Sequence, residues 1–174
     1  YRHTIKADGT LEETPLAYAT SPGDGPRHIV FNTSGTRAYS INEMKGTVDA
    51  FVVEEAGLKK IQTIVADTVQ TNSDHGSGAI HLSPDGRYLA HDDKNGDLWL
   101  LDLQNGSNRK IYQQGWGHSP YADVIWSADS QLLAFTLNHQ QRPRSQVVLY
   151  SLAEQRSEVL TSDKYESYAP AFSP

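Results

Sequence analysis

Short runs of alternating apolar and polar residues recur along this chain, and each run ends in a turn rich in glycine, aspartate or asparagine. Alternation with a period of two predicts strands, and the turn residues predict tight connections between them. No segment keeps the apolar spacing of about 3.6 residues that an amphipathic helix requires. The predicted strands are 27–32, 37–43, 47–54, 58–66, 77–83, 87–93, 97–103, 108–114, 122–128, 132–139, 146–153 and 157–163. We therefore expect an all-β fold.

One turn motif repeats through the sequence and divides these strands into groups of four. Its copies are FNTSG at 31–35, LSPDG at 82–86, WSADS at 126–130 and a truncated FSP at 172–174. A period of about 45–50 residues with four strands per repeat is typical of a β-propeller made of four-stranded antiparallel blades. Two more strand-like segments lie near the start and one, 167–174, near the end, which gives about 3.75 blades in the chain. We expect residues 1–174 to form one propeller, or half-propeller, domain.

Composition and charge exclude several kinds of partner. The 174 residues are 37% apolar and 21% charged, as in globular proteins, and they contain no cysteine. Lys and Arg number 15 against 21 Asp and Glu, a net charge of −6 without a basic cluster. The electrostatic field of this negative charge repels nucleic acid and anionic membranes. The apolar runs are also far shorter than the ~20 residues of a membrane span. We expect no nucleic-acid partner and no membrane partner, and the localisation stays unknown.

The first half of the sequence carries motifs of a known family. They are IKADGTLE at 5–12, SPGDGPRHIVFNTSGTRAYSINE at 21–43, GTVDAFVV at 46–53 and GAIHLSPDGRYLA at 78–90. Residues 1 to about 90 resemble the seven-bladed propeller lactonase family, which includes 6-phosphogluconolactonase and carboxymuconate cyclase. The resemblance implies a propeller fold, no cofactor, a cytoplasmic location and lactone or cyclase chemistry.

The second half resembles a different group of propellers. Its motifs are KNGDLWLLDLQNGSNRKI at 94–111 and YADVIWSADSQLLAFTLN at 121–138, and residues 83–174 resemble the propeller of tricorn-type proteases. SPDGRYLA at 83–90 fits both patterns. We interpret the chain as a chimera, an engineered or recombined scaffold that self-assembles and retains no catalysis. Because the terminal blade is incomplete, we expect a homodimer that closes a ring of about eight blades, with a four-bladed monomer as the alternative.

Candidate site residues lie where propeller strands open into the axial channel. Glu43, Lys94 and Asn138 each stand eight residues beyond the turn position and are expected at one channel mouth. The lactonase resemblance implies that Arg27 of GPRH and Glu43 of INE match the family's catalytic arginine and acid. His28, beside Arg27, is a further channel-mouth candidate. The resemblance also implies a histidine from the preceding blade, without a counterpart in this sequence, and an arginine where Lys94 stands.

Three interpretations of these residues remain open. Arg27 and Glu43 could be a structural ion pair, or they could support a residual lactonase or cyclase, with arginine stabilising an oxyanion and glutamate acting as a base. The channel could instead bind a peptide. SDH at 73–75 and HDD at 91–93 suggest metal ligands, but neighbouring strand residues point to opposite faces, so we expect no metal.

Overall fold

The computed structural model describes residues 2–14, 17–67, 76–113, 121–138 and 144–173. These segments form strands, turns and irregular connections, and no helix occurs in them, so they contain no helix that could cross a membrane. The strands are β1 His3–Ile5, β2 Leu11–Glu13, β3 Pro26–Phe31, β4 Arg37–Asn42, β5 Thr47–Glu54, β6 Gly57–Val65, β7 Ile80–Leu82, β8 Tyr88–Asp92, β9 Leu98–Asp102, β10 Asn108–Tyr112, β11 Tyr121–Trp126, β12 Leu132–Leu137, β13 Gln146–Ser151 and β14 Arg156–Val159. The all-β prediction is confirmed.

The strands pair into one hairpin and three four-stranded sheets. β1 and β2 form the hairpin, and β3–β6, β7–β10 and β11–β14 form antiparallel sheets in which sequential strands are neighbours. We call these sheets blade 1, blade 2 and blade 3. A series of such meanders is the construction of a β-propeller, as the repeat predicted.

The repeated turn has the same geometry in each blade. Its fifth residue has a positive φ in all three copies: 68° at Gly35, 74° at Gly86 and 62° at Ser130. In each copy the backbone N–H of that residue donates to the carbonyl three residues earlier, at 2.9, 2.8 and 2.9 Å. Glycine adopts this left-handed backbone readily, whereas Ser130 accepts a conformational cost to keep the same turn.

The core lies between neighbouring blades. Ile41 and Val48 of blade 1 pack with Ile80, Leu89 and Leu101 of blade 2, and all five are fully buried. A second cluster joins blade 2 to blade 3; its buried members include Leu98, Leu100, Leu133, Phe135 and Val148. Each sheet therefore supplies one apolar face to the next, which explains the alternation along the strands.

The opposite face of blade 1 is open. Ile29 and Phe31 alternate along β3, and their exposed fractions are 41% and 52%. A groove of about 280 Å³ is lined by Ile29 together with Tyr18 and Phe51, whose rings make an edge contact at 4.9 Å, and it extends to Arg27 and His28. The homodimer expected from the sequence stays a prediction.

Three predicted strands differ from the structure by more than two residues, and one of them, predicted at 157–163, is β14 and already ends at Val159. Residues 167–173 form no strand, because Ala169 has a φ of 51° and Pro170 has no backbone N–H to donate. The strand predicted at 77–83 is confined to β7, because the N–H groups of Gly78 and Ala79 donate to the Asp92 carboxylate.

Candidate functional site

Arg27 and Glu43 meet at one end of blade 1. Arg27 lies on β3 where the pairing with β4 shifts by one residue between Pro26 and His28, and such a bulge redirects the side chain. Glu43 directly follows β4, and its N–H donates to the carbonyl of Gly25 at 2.8 Å. Arg27 Nη1 lies 2.7 Å from Glu43 Oε1, with side chains 54% and 40% exposed. A cation and a carboxylate thus stand together where a ligand can reach both.

His28 connects blade 1 to blade 2. Its Nδ1 accepts a hydrogen bond from the backbone N–H of Ile80 at 3.1 Å, and its ring meets the edge of the His81 ring at a centroid distance of 5.9 Å. Burial, followed by the charge of His28, lowers the pKa of His81 to about 4, although Asp92 acts in the opposite direction. His81 is therefore neutral at physiological pH.

Lys94 of blade 2 and Asn138 of blade 3 hold the repeat position that Glu43 holds in blade 1. Lys94 follows β8 and packs against Gly76, where a Cβ would lie 3.0 Å from the lysine Cβ. Asn138 follows β12, and its Oδ1 accepts a hydrogen bond from Ser145 Oγ at 2.6 Å. Arg27 and Glu43 are thus in direct contact, whereas a channel mouth shared by Glu43, Lys94 and Asn138 stays a prediction.

Asp92 and Gly78 belong to this region, although the sequence analysis did not select them as site residues. The Asp92 carboxylate is buried, and its Oδ1 accepts from Gly78 N at 2.6 Å and from Ala79 N at 3.0 Å. A Cβ at Gly78 would lie 3.0 Å from Arg27 Nη1, so the guanidinium rests against this glycine. The repeat could have indicated Asp92, because its carboxylate stands where blade 1 has Ile41 and blade 3 has Thr136.

The HDD segment has a structural role. His91 is buried, its Nε2 lies 3.2 Å from Asn108 Oδ1, and burial lowers its pKa. Asp93 accepts hydrogen bonds from Asn95 N, Asp97 N and Trp99 Nε1, each at 2.9 Å. Within the described part of the chain, no group of three metal-ligating side chains could hold an ion. The SDH segment lies outside that part.

A family model, "Lactonase, 7-bladed beta-propeller", matches residues 1–142. The chain belongs to this lactonase family. A 6-phosphogluconolactonase of Serratia proteamaculans is 36% identical over 90 residues, which are 51% of this chain and 27% of that protein. One of Cronobacter sakazakii is 33% identical over 120 residues, 67% of this chain and 35% of the relative. The chain therefore spans about a third of the length of these curated relatives.

Solved structures agree with the family match. A crystal structure of a candidate 6-phosphogluconolactonase from Bacteroides fragilis is 34% identical, has a TM-score of 0.66, and is matched over 91% of this chain and 46% of its own. Tricorn protease aligns with a TM-score of 0.64 over 84% of this chain and 14% of its own. Its identity of 14% shows the shared propeller fold alone.

These matches correct the interpretation of the chain as a scaffold without catalysis. The family match runs through 83–90, the segment that fits both patterns, and continues to residue 142. The curated relatives are named as lactonases. The two-family interpretation is not supported, because the propeller repeat itself explains the tricorn-like pattern of the second half.

Proposed function

We propose that this chain contributes to a lactone hydrolase that acts on 6-phosphogluconolactone, with Arg27 and Glu43 as its catalytic residues. The observation that carries the proposal is the open Arg27–Glu43 pair at 2.7 Å, in a chain whose relatives are named 6-phosphogluconolactonase. A purely structural role for the pair is less well supported, because exposed ion pairs contribute only about 0–1 kcal/mol to the free energy of unfolding.

The pair has the chemistry that hydrolysis of a cyclic ester needs. Glu43 takes a proton from a water molecule while the water oxygen attacks the lactone carbonyl carbon. The carbonyl oxygen becomes an oxyanion, which the Arg27 guanidinium stabilises by charge and N–H donation. The bond from that carbon to the ring oxygen then breaks, and the proton held by Glu43 passes to the ring oxygen, which leaves a carboxylic acid and a hydroxyl group.

Three further side chains are proposed to bind the substrate around this pair. Lys94 supplies a positive charge for an anionic group such as the substrate phosphate, although an ammonium lacks the two-pronged geometry of a guanidinium. His28 and Asn138 complete the proposed channel-mouth set as hydrogen-bonding side chains. The proposal requires no cofactor.

The test is hydrolysis of 6-phosphogluconolactone above its spontaneous rate. Glu43→Gln removes the base and is expected to lower kcat/KM about a hundredfold or more. Arg27→Gln removes the guanidinium and is expected to lower kcat/KM by about the same factor. The free energy of unfolding of both variants should lie within about 1 kcal/mol of the wild-type value, because the pair is exposed.

Glu54→Gln is the matched control. Glu54 belongs to the same blade and also makes an exposed ion pair, with Lys59 at 3.8 Å. It should keep wild-type hydrolysis. Equal rates for the wild type, Glu43→Gln and the uncatalysed reaction would refute the proposed activity.

A further inference from the structure

The pairing of β7 with β8 ends in an unusual way beside the proposed site. The regular register stops at Ile80 and His91, one residue before the end of β8. Beyond that point the buried Asp92 carboxylate replaces a backbone acceptor and receives the N–H groups of Gly78 and Ala79. One carboxylate oxygen with two hydrogen bonds, at 2.6 and 3.0 Å, thus fixes the segment that leads into β7.

That segment forms the surface on which Arg27 lies. A Cβ built at Gly78 would meet Arg27 Nη1 at 3.0 Å, Arg27 Cζ at 3.2 Å and Asp92 Oδ2 at 3.5 Å. The guanidinium and the carboxylate therefore both border the space that a side chain at Gly78 would fill. Arg27 Nη1 is also the atom that contacts Glu43. A displacement of Gly78 would move the nitrogen that orients the acid.

The other blades show that the fold does not require a carboxylate here. The equivalent residue is Ile41 in blade 1, where it is buried in the apolar core, and Thr136 in blade 3. Thr136 Oγ1 accepts a hydrogen bond from Ala169 N at 3.1 Å, so in blade 3 this position contacts a residue beyond β14, a different contact from that of Asp92. A buried charge is costly for a protein, so its presence only in the blade that borders Arg27 calls for a local reason.

We propose that Asp92 is a positioning residue, which holds Gly78 so that the Arg27 guanidinium is fixed against Glu43 in the reactive arrangement. The catalytic part of this inference rests on the proposed lactone hydrolysis. Gly78 is the second residue of this arrangement, because its lack of a side chain allows the guanidinium to approach the backbone. Precise placement matters, since a displacement of about 1 Å can cost a hundredfold in rate.

Three substitutions, two at Asp92 and one at Gly78, test this placement of Arg27. Asp92→Ala removes the acceptor and should lower kcat/KM about tenfold to a hundredfold, whereas Asp92→Asn keeps an acceptor oxygen and should restore it to within about threefold of the wild type. Gly78→Ala introduces a Cβ at a backbone conformation that alanine can adopt. The flexible guanidinium must give by a few tenths of an ångström, so kcat/KM should fall about threefold to tenfold with little change in Tm. Thr136→Ala is the control, because it truncates the side chain at the equivalent repeat position of blade 3 and should leave kcat/KM unchanged.

A second readout is independent of catalysis. The NMR signal of the Arg27 Nε–Hε group, assigned by its disappearance in Arg27→Lys, should shift in Asp92→Ala and Gly78→Ala and stay in place in Asp92→Asn and Thr136→Ala. An unchanged Arg27 signal in a folded Asp92→Ala would overturn the proposal. If that variant does not fold, an unchanged signal in Gly78→Ala overturns it instead. A wild-type protein without lactone hydrolysis would refute the proposed function, and the NMR comparison would still decide the positioning role.

Discussion

The junction of blades 1 and 2 and the junction of blades 2 and 3 use equivalent strands with different chemistry. At the first junction, His28 Nδ1 accepts from Ile80 N across the blades, and Arg27 lies against Gly78. At the second, Tyr88 stacks on Trp126 at a centroid distance of 6.4 Å and an interplanar angle of 20°. The first junction thus carries a guanidinium and imidazole rings at one end, whereas the second carries an aromatic stack together with neutral hydrogen bonds, such as the one from Asp85 N to Ser130 Oγ at 3.0 Å.

This difference separates the two tasks of a propeller junction. An apolar cluster lies at the middle of both junctions, so both contribute burial to the fold. The polar groups of the first junction lie on β3, on the segment before β7 and at the end of β8, where strands meet the proposed channel. We therefore expect substitutions at the polar end to change chemistry, and substitutions in the apolar junction to change stability.

The largest effect on stability is expected from Phe135→Ala in the second junction. Phe135 is fully buried, and its ring meets the edge of the Tyr112 ring at 5.5 Å. Removing it should lower the free energy of unfolding by about 3–5 kcal/mol, measured by urea denaturation. Phe31→Ala is the matched control: Phe31 is 52% exposed and should cost under about 1 kcal/mol. Equal losses would mean that the open face of blade 1 is covered in solution.

A smaller effect should appear with pH at the first junction. The folded pKa of His81 is about 4, below the value of about 6.5 for an unfolded histidine. Between these values the unfolded chain binds more protons, so the contribution of His81 to stability is complete above pH 6.5 and is lost as the pH falls to 4. The loss is expected to be about 2–3 kcal/mol.

His81→Gln isolates this contribution. The variant should show a flatter decline of unfolding free energy from pH 6.5 to 4, with the remaining slope arising partly from His91, whose pKa is also lowered by burial. An NMR titration of the His81 ring should give a midpoint near pH 4. A midpoint near 6.5, or an unchanged slope in the variant, would contradict the burial of this ring between the blades.

The sequence predicted the strands better than it predicted the site. Alternation and turn chemistry are local, so β5 was predicted with its observed bounds at 47–54, and most other strands within two residues. β7 was predicted too long because the Asp92 carboxylate competes with the backbone for two N–H groups, which no local pattern reveals. The contact of Arg27 with Glu43 was suggested by the family resemblance and not by periodicity, because a bulge places the arginine.

The assignment of the second half to a different group of propellers, which the comparisons do not support, has a physical origin as well. Every blade must alternate its side chains and close the same turn, so Ser83 and Asp85 in blade 2 and Ser127 and Asp129 in blade 3 form the same hydroxyl–carboxylate hydrogen bond, at 2.5 and 2.6 Å. Motifs that the fold imposes are shared by unrelated propellers and cannot separate one family from another. The family match through residue 142 depends on the whole pattern instead.

The smallest effect is expected from Trp126→Phe, which changes a single hydrogen bond between blades 2 and 3. Trp126 Nε1 donates to the carbonyl of His81 at 3.1 Å, and phenylalanine would lose this bond but keep an aromatic face towards Tyr88. The unfolding free energy should fall by about 1 kcal/mol in urea denaturation, since a neutral hydrogen bond contributes about 0.5–1.5 kcal/mol. Trp99→Phe is the matched comparison, because Trp99 Nε1 donates within blade 2 to the buried Asp93 carboxylate at 2.9 Å. A bond to a charged acceptor contributes about 1.5–3 kcal/mol, so Trp99→Phe should lose more unfolding free energy.

Lactone hydrolysis should stay at the wild-type rate in Trp126→Phe, because His81 keeps its ring contact with His28 and only its carbonyl loses a donor. A larger loss in Trp126→Phe than in Trp99→Phe, or reduced hydrolysis, would show that the two junctions are coupled through His81 and do not act separately.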